Sequence, residues 1–394
     1  HHIASDGWSQ YLIEQRLWKV YGALRSGKLT PKVTFSESYI DYSLRQNSYL
    51  DSHERDVDEA YWRTLLAEAE TSIPLPLKRV RSSRASHNGA KAYITVGERT
   101  VHALTDACRR AGTSVFVGVL CAVKSYLMLC GGVTQGTLAF LDANRSHDTM
   151  GTVGNFINPL PLRTELVDGQ SFSEALRTCH MAVADNLDHA RLPFLEIVKA
   201  SGAEHSVSRN PLFQVLVVYE MTPDVELPPE LQVRTLSMDE VKAKLDFTLF
   251  VKHRDRVLDI AVEYSTDLLD SAAVDRLLSG LSTFIEAVAN EPRRPLDTAP
   301  RIPPEERRLL SKVWNDTSKE YEMEATVVDR ICGIAQKLAD HVAIVSDDVG
   351  HDVSIRTMTY RELLWASTRL AEQLLNEGVD HGDIVAVFMR RSAD

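Results

Sequence analysis

Apolar and polar positions along this chain follow two periods, and the order in which they change outlines the architecture. Trp8, Leu12, Leu17, Val20, Tyr21 and Leu24 recur at roughly helical spacing, so 8–30 reads as a helix whose apolar run Gly27 ends. Residues 31–50 are polar with scattered aromatics, and the acidic stretch 51–59 leads into a short helix over 61–70. Residues 72–90 carry Pro74, Pro76, several serines and clustered Lys and Arg, the composition of a loop or subdomain crossing.

From residue 91 onward strands and helices alternate. A strand at 91–96 precedes an amphipathic helix at 98–111. Thr113 and Ser114 can cap an apolar helix that runs to Cys130 and stops at Gly131-Gly132. Too short and too interrupted for a membrane span, that helix reads as the centre of a core. Strands come next at 137–141 and 156–166, then helices at 172–189 and 194–200, and a buried strand at 212–220. Segments 245–252 and 257–264 flank a polar turn as a hairpin, and Asp270 caps a helix reaching about residue 290. Prolines 292, 295, 300, 303 and 304 then crowd one short stretch; without backbone donors they cannot continue a helix or central strand, and they predict a semi-rigid linker. Beyond it, a helix at 327–338, strands at 342–345 and 355–359, a helix at 360–376 and a strand at 384–388 open a second α/β unit. The fold class is α/β, in two units.

Composition refines this picture only in part. A chain of 394 residues, 44% apolar and 25% charged, has material for two or three globular domains. A net charge of −11 argues against non-specific nucleic-acid binding. Five cysteines without a CxxC pair suggest reduced thiols in a cytoplasmic setting. No run reaches the roughly 18 apolar residues of a membrane helix. The chain lacks an initiator Met, opens inside a motif and stops just after a strand-like run, so it reads as an excerpt from a longer polypeptide.

The most chemically loaded stretch is His1-His2-Ile3-Ala4-Ser5-Asp6-Gly7. Histidine exchanges a proton near neutral pH. A carboxylate can orient an imidazole, or pair with an Arg elsewhere and shape the loop. Read alone, the histidines also fit a purification-tag remnant or ordinary turn residues.

Further stretches join it in order: YIDYS at 39–43, VGNFINPLPLR at 153–163, HARLPFLEIV at 189–198 and SRNPLFQ at 208–214. As a set they resemble the later core motifs of nonribosomal peptide synthetase condensation domains, relatives of chloramphenicol acetyltransferase. Past the prolines, LLSKVWNDT at 309–317, MTYREL at 358–363 and GDIVAVFMRRS at 382–392 resemble the start of an adenylation (AMP-binding) domain. The succession argues against a tag remnant. The resemblance implies a chloramphenicol-acetyltransferase-like two-layer α/β sandwich over 1–290, with 1–70 ending an N-terminal subdomain and 85–290 forming the C-terminal one. A proline-rich linker at 291–308 and a truncated α/β adenylation start at 309–394 would come after it.

The resemblance also implies a chemistry: an amine attacks a thioester, and carrier proteins hold both substrates on phosphopantetheine arms. His2 aligns with the histidine facing the reaction centre, with His1 as its neighbour. Asp6 is expected to pair with an Arg, Arg145 first and Arg163 second, and Gly7 to permit the turn. Asn155, Asn158 and Arg163 either line the channel or satisfy strand edges, and Arg209 and Asn210 more plausibly hold a turn. Arg45 stands where the family has an aromatic, which weakens roles for Tyr39 and Asp41. Thr359, Tyr360 and Glu362 match an early structural motif of adenylation domains, whose ATP and magnesium sites would lie beyond Asp394. The excerpt itself is expected to bind no cofactor. His180, His189 and His205 lack metal-ligand spacing. Partners would be upstream and downstream carrier domains and the rest of the same synthetase, without nucleic acid or membrane. Two alternatives stay open: ester formation on a hydroxyl acceptor, and a non-catalytic docking fragment. The isolated excerpt is expected to be inactive without its preceding subdomain.

Overall fold

The computed structural model describes residues 1–29, 37–67, 72–204, 206–220, 223, 225, 227–228, 231, 241–320, 325–348 and 354–389. They fall into two units, His1–Ser311 and Lys312–Asp394. His205 and the last residues of the helix expected at 61–70 lie outside the described residues.

The first unit begins with three helices, α1 (Gly7–Arg25), α2 (Tyr39–Leu50) and α3 (His53–Leu66). Sequence periodicity misses α2 and starts α3 late. Ser38 and Asp41 cap α2 reciprocally, but Ile40 and Leu44 point to solvent, so its apolar stripe is weak.

A mixed seven-stranded sheet comes next. Its strands are β1 (Asn88–Val96), β2 (Thr137–Asp142), β3 (Asn158–Arg163), β4 (Val215–Glu220), β5 (Val241–Lys242), β6 (Phe247–Arg254) and β7 (Val257–Ser265). They lie in the order β3-β2-β4-β6-β7-β1-β5. β2, β4 and β6 run parallel at the centre, and β3, β7 and β1 add antiparallel pairs outside them. The C-terminal ends of β2, β4 and β6 therefore share one end of the sheet, and their N-terminal ends share the other. The hairpin of β6 and β7 turns at Asp255, which adopts a positive φ of 43°.

Helices α4 (Glu98–Arg110), α5 (Val115–Gly131), α6 (Phe172–Asp188), α7 (Phe194–Ser201) and α8 (Ser271–Asn290) complete the layer. On β7, Leu258, Ile260, Val262 and Tyr264 alternate inward and are buried. On the opposite face Tyr93, Ala261, Phe250 and Val218 form a partly or fully exposed row in register across four strands. The core centres on α5, buried from Val117 to Met128. Ser114 caps its start, and Gly132, at φ 66°, closes its end in the left-handed conformation.

The proline-rich stretch packs against the first unit. The Leu296 amide donates to the Gln170 carbonyl at 2.9 Å and the Ser173 amide to that of Pro292 at 2.8 Å, while Leu296 and Ala299 are buried. A Cβ on Gly280 would stand 2.5 Å from the Arg301 carbonyl oxygen, so that glycine makes room for the strap. A short helix, α9 (Pro304–Arg308), lies near the end of this unit.

The second unit contains α10 (Val327–Lys337), β8 (Val342–Asp348), β9 (Ser354–Thr359) and α11 (Tyr360–Asn376). β8 and β9 pair antiparallel. Residues 384–388, expected as a strand, form none, because among the described residues no neighbour satisfies their backbone groups.

One charge inside the core reports on its packing. Lys124, 2% exposed on α5, donates from Nζ to the Thr164 carbonyl at 2.9 Å, and burial pushes its ammonium down to about 8. The unfolded chain holds this proton up to 10.5, so it binds more protons in that window and stability rises with pH there. In urea unfolding, the stability of the wild type relative to Lys124→Met should rise between pH 7.5 and pH 10, since buried cysteines that titrate in the same window act alike in both proteins. Equal pH slopes in the two proteins would contradict the assignment.

Candidate functional site

The histidine loop is anchored through the residues on its C-terminal side. His1 to Ala4 form a tight turn closed by the Ala4 amide on the His1 carbonyl at 2.9 Å. His1 Nδ1 accepts from the Ile3 amide at 3.2 Å, and both histidine side chains are exposed. His1 is thus hydrogen-bonded within its own loop and not packed into the core. Gly7 differs from expectation. It is the first residue of α1, lies outside the left-handed region, and has nothing within 4 Å of an added Cβ. The turn is made by the residues before Asp6, so the glycine's freedom is not needed there.

Asp6 caps α1. Its Oδ1 accepts from the Ser9 amide at 2.8 Å and its Oδ2 from the Phe156 amide at 3.1 Å. Arg145 Nη2 donates to both carboxylate oxygens, at 2.9 and 3.0 Å, and the side chains of Asp6 and Arg145 are 1% and 2% exposed. Arg145 Nη1 donates to the carbonyls of Thr149 and Thr152, each at 2.8 Å, and the guanidinium lies 4.1 Å from the Phe156 ring centroid. Burial opposes the charge on Asp6, but hydrogen bonds from Ser9 and Phe156 together with Arg145 hold its carboxyl below the usual carboxylate range. Arg163, the second candidate partner, is elsewhere: its Nη1 donates to the Leu65 carbonyl at 2.9 Å.

Ser9 is the residue sequence reasoning missed. Its hydroxyl donates to the Gly154 carbonyl at 2.8 Å and accepts from the Gly154 amide and Arg145, both at 3.0 Å. The local signal reaches only Asp6, an N-cap residue type whose carboxylate accepts from the Ser9 amide; nothing nearby in sequence points to the Ser9 hydroxyl's partner Gly154. Gly154 must be bare: a Cβ there would stand 2.1 Å from Tyr39 Cδ2. Tyr39 donates to the Asn155 carbonyl at 3.0 Å, and Tyr39 and Tyr42 both pack on Phe156. The YIDYS segment therefore supports the GNF segment beneath the histidine loop. Arg45 adds a 2.6 Å ion pair to Glu37.

The remaining candidates mostly hold backbone. Asn158 is buried, donates to the Ala190 and Leu192 carbonyls and accepts from the Phe194 amide, all at 2.9 Å. Asn155 is next to the site, and its Oδ1 is buried without a protein partner. Asn210 Oδ1 accepts from the Leu212 and Phe213 amides and makes a turn, whereas Arg209 is exposed. His189 Nδ1 lies 2.6 Å from Asp58 and its ring stacks on Tyr61 at 4.0 Å, tying α3 to the end of α6. In the second unit Thr359 and Glu362 cap α11 reciprocally, with Tyr360 as its first residue.

The mixed sheet, with a buried Asp–Arg clamp under an exposed histidine pair at the C-terminal end of one of its central strands, has the architecture of the chloramphenicol-acetyltransferase-like fold. Comparison with known proteins agrees: the condensation-domain family profile matches residues 1–311, and the chain belongs to the condensation domains of nonribosomal peptide synthetases. It is similar to malpibaldin synthetase of Mortierella alpina, 30% identical over 397 residues, covering 100% of this chain and 7% of that protein. It is also similar to phosphinothricin tripeptide synthetase PhsC of Streptomyces viridochromogenes, 29% identical over 399 residues, covering 100% of this chain and 36% of that one. The chain thus spans a minor part of the curated relatives it matches. Among solved structures, a four-domain nonribosomal peptide synthetase, holo-AB3403, shares the fold at a TM-score of 0.74 and 19% identity, covering 97% of this chain and 29% of that one.

Breaking one side of a buried ion pair leaves an uncompensated charge, so Asp6→Ala should lose about 3–5 kcal/mol in urea unfolding at pH 7. The lowered carboxyl sets the sign of the pH dependence. The contribution is present above the unfolded value of about 3.9 and disappears as pH falls through the lower folded value. Wild type should therefore approach the variant in stability in that acidic window. A variant that unfolds at the wild-type urea midpoint would refute the clamp.

Proposed function

We propose that this chain supplies the histidine loop and C-terminal lobe of a condensation domain that joins two carrier-tethered substrates by an amide bond. The observation that carries the reading is the clamp of Asp6, Arg145 and Ser9, which fixes the loop while leaving His2 exposed to a substrate. In the reaction a neutral amine attacks a thioester carbonyl, a tetrahedral intermediate forms, and the thiol leaves as the amide is made. An α-amino group titrates near 7.7–8.0, so a useful fraction is already neutral at ordinary pH. His2 then acts as a hydrogen-bond partner that aligns the amine and takes its proton around the intermediate. Holding both reactants on tethered arms supplies much of the remaining acceleration. The sheet row of Tyr93, Ala261, Phe250 and Val218 offers an apolar wall for the arms and their cargo.

Carrier domains with phosphopantetheine arms are the expected partners, and the cytoplasm is the expected compartment. Lys312–Asp394 is read as the opening of an adenylation domain, supported by the TYRE capping box at the start of α11 and by the 97% coverage in the comparison with holo-AB3403. ATP and magnesium are not assigned to the described residues. The Gly-rich segment 131–136 ends α5 instead of opening a helix, so it makes no phosphate cradle.

Aminoacyl carriers loaded onto the synthetase module that contains this segment provide the test, with and without His2→Ala. General-base help is typically worth about 10²–10⁴-fold, and an aligning role with an amine acceptor predicts a loss at or below the lower end of that range. A hydroxyl acceptor needs the base more, so complete loss together with an ester product would favour the alternative reading. No condensation product from the intact module would overturn the proposal.

A further inference from the structure

The hydrogen bonds of the histidine turn stay within it: the Ala4 amide bonds to the His1 carbonyl and the Ile3 amide to His1 Nδ1. Among the described residues, no hydrogen bond or ion pair ties His2 to anything outside that turn. Its place is therefore set by where Asp6 and Ser9 are held. Three consecutive residues back them. Gly154 exchanges two hydrogen bonds with the Ser9 hydroxyl, and Phe156 gives its amide to Asp6 and its ring face to Arg145, with Asn155 between.

One side chain from another element touches all three. Tyr39, the first residue of α2, donates from its hydroxyl to the Asn155 carbonyl at 3.0 Å and meets the Phe156 ring edge-on, with centroids 5.2 Å apart. Its ring also lies against Gly154, where an added Cβ would stand 2.1, 2.6 and 2.8 Å from Cδ2, Cε2 and Cγ of the tyrosine. Carbon atoms pack at about 3.5–4.0 Å, so one methyl group at 154 would drive the two apart by more than ~1 Å. Gly154 lies outside the left-handed region, so this contact, and not backbone freedom, is what requires a glycine.

The helix that carries the ring is fastened to the same segment on both sides of Tyr39. Thr152 donates its hydroxyl to the Glu37 carbonyl just before α2, and Asn144 Nδ2 donates to the Tyr42 hydroxyl at 3.0 Å. The ring is thus held against Gly154 from a helix that cannot drift away from it.

We propose that Tyr39 is a positioning residue for the condensation reaction. Its ring sets where Gly154 stands, Gly154 sets where Ser9 and Asp6 stand, and these set the distance from His2 to the attacking amine. The inference rests on the condensation reading and adds to it a residue that acts through the backbone of 154–156. A misplacement of about 1 Å can cost about 10²-fold in rate.

The test follows product formation in the same module at varied concentrations of acceptor carrier, with the folding of each variant checked by urea unfolding. Gly154→Ala should lower kcat about 100-fold and change KM for the acceptor carrier by less than about twofold, because no binding contact is removed. Tyr39→Phe keeps the ring and should stay within about tenfold of wild type. Tyr39→Ala adds no clash, stands in where Gly154→Ala does not fold, and should lose at least about tenfold in kcat. Adding Gly154→Ala to Tyr39→Ala should cost little more, since the atoms the new methyl group would strike are gone. A second readout needs no reaction. In the full chain the His2 ring signals in proton–carbon NMR spectra, assigned with His2→Gln, should shift in Gly154→Ala and return towards their wild-type positions when Tyr39→Ala is added. Wild-type kcat in folded Gly154→Ala or Tyr39→Ala, losses confined to KM, additive losses in the double variant, or unmoved His2 signals would each overturn the positioning role. A wild-type module that makes no product would overturn the condensation reading instead, and the His2 signals would still decide whether Tyr39 places the loop.

Discussion

The contact between Asp6 and Arg145 governs the organisation of the site. Two opposite charges taken out of water must satisfy each other and most of their hydrogen-bonding positions, or the fold loses several kcal/mol. Asp6 therefore draws amides from α1 and from the segment entering β3, and Arg145 draws the carbonyls of Thr149 and Thr152. Two stretches distant in sequence, the start of α1 and residues 145–156, are held at one point. The histidine turn inherits its position from that point, since it has few contacts of its own.

Polar motif residues farther out act in the same manner on a smaller scale. Asn158 joins the start of β3 to the entry of α7, Arg163 joins the other end of β3 to α3, and the Asp58–His189 contact joins α3 to α6. Each satisfies backbone or buried carboxylate groups that would otherwise be unpaired where elements meet at awkward angles. The polar residues of these motifs are therefore mostly joints, whereas the histidine turn stays exposed.

Much of this was legible from sequence. The apolar run of α5, its Ser114 cap and its Gly132 stop are local signals, and each fixes a boundary without help from the rest of the chain. The histidine motif was legible because its members are adjacent. Three things were not. α2 has a cap but little apolar stripe, because Ile40 and Leu44 are exposed. Residues 384–388 have strand-like composition, but composition cannot supply the neighbouring strand that pairing requires. Ser9 joins the clamp through Gly154, a partner 145 residues away, so its importance depends on a contact that no local pattern records.

The proline strap has a practical consequence for recombining such proteins. Composition marks Pro292 as the natural place to cut, because prolines usually advertise a spacer. Here the chain from Pro292 to Ala299 belongs to the first unit's upholstery, with Leu296 and Ala299 pressed into it and Arg301 filling the notch left by Gly280. A graft joined at Pro292 would carry a foreign strap onto a surface shaped for this one. The seam that respects the packing lies after Ser311, where the first compact unit ends.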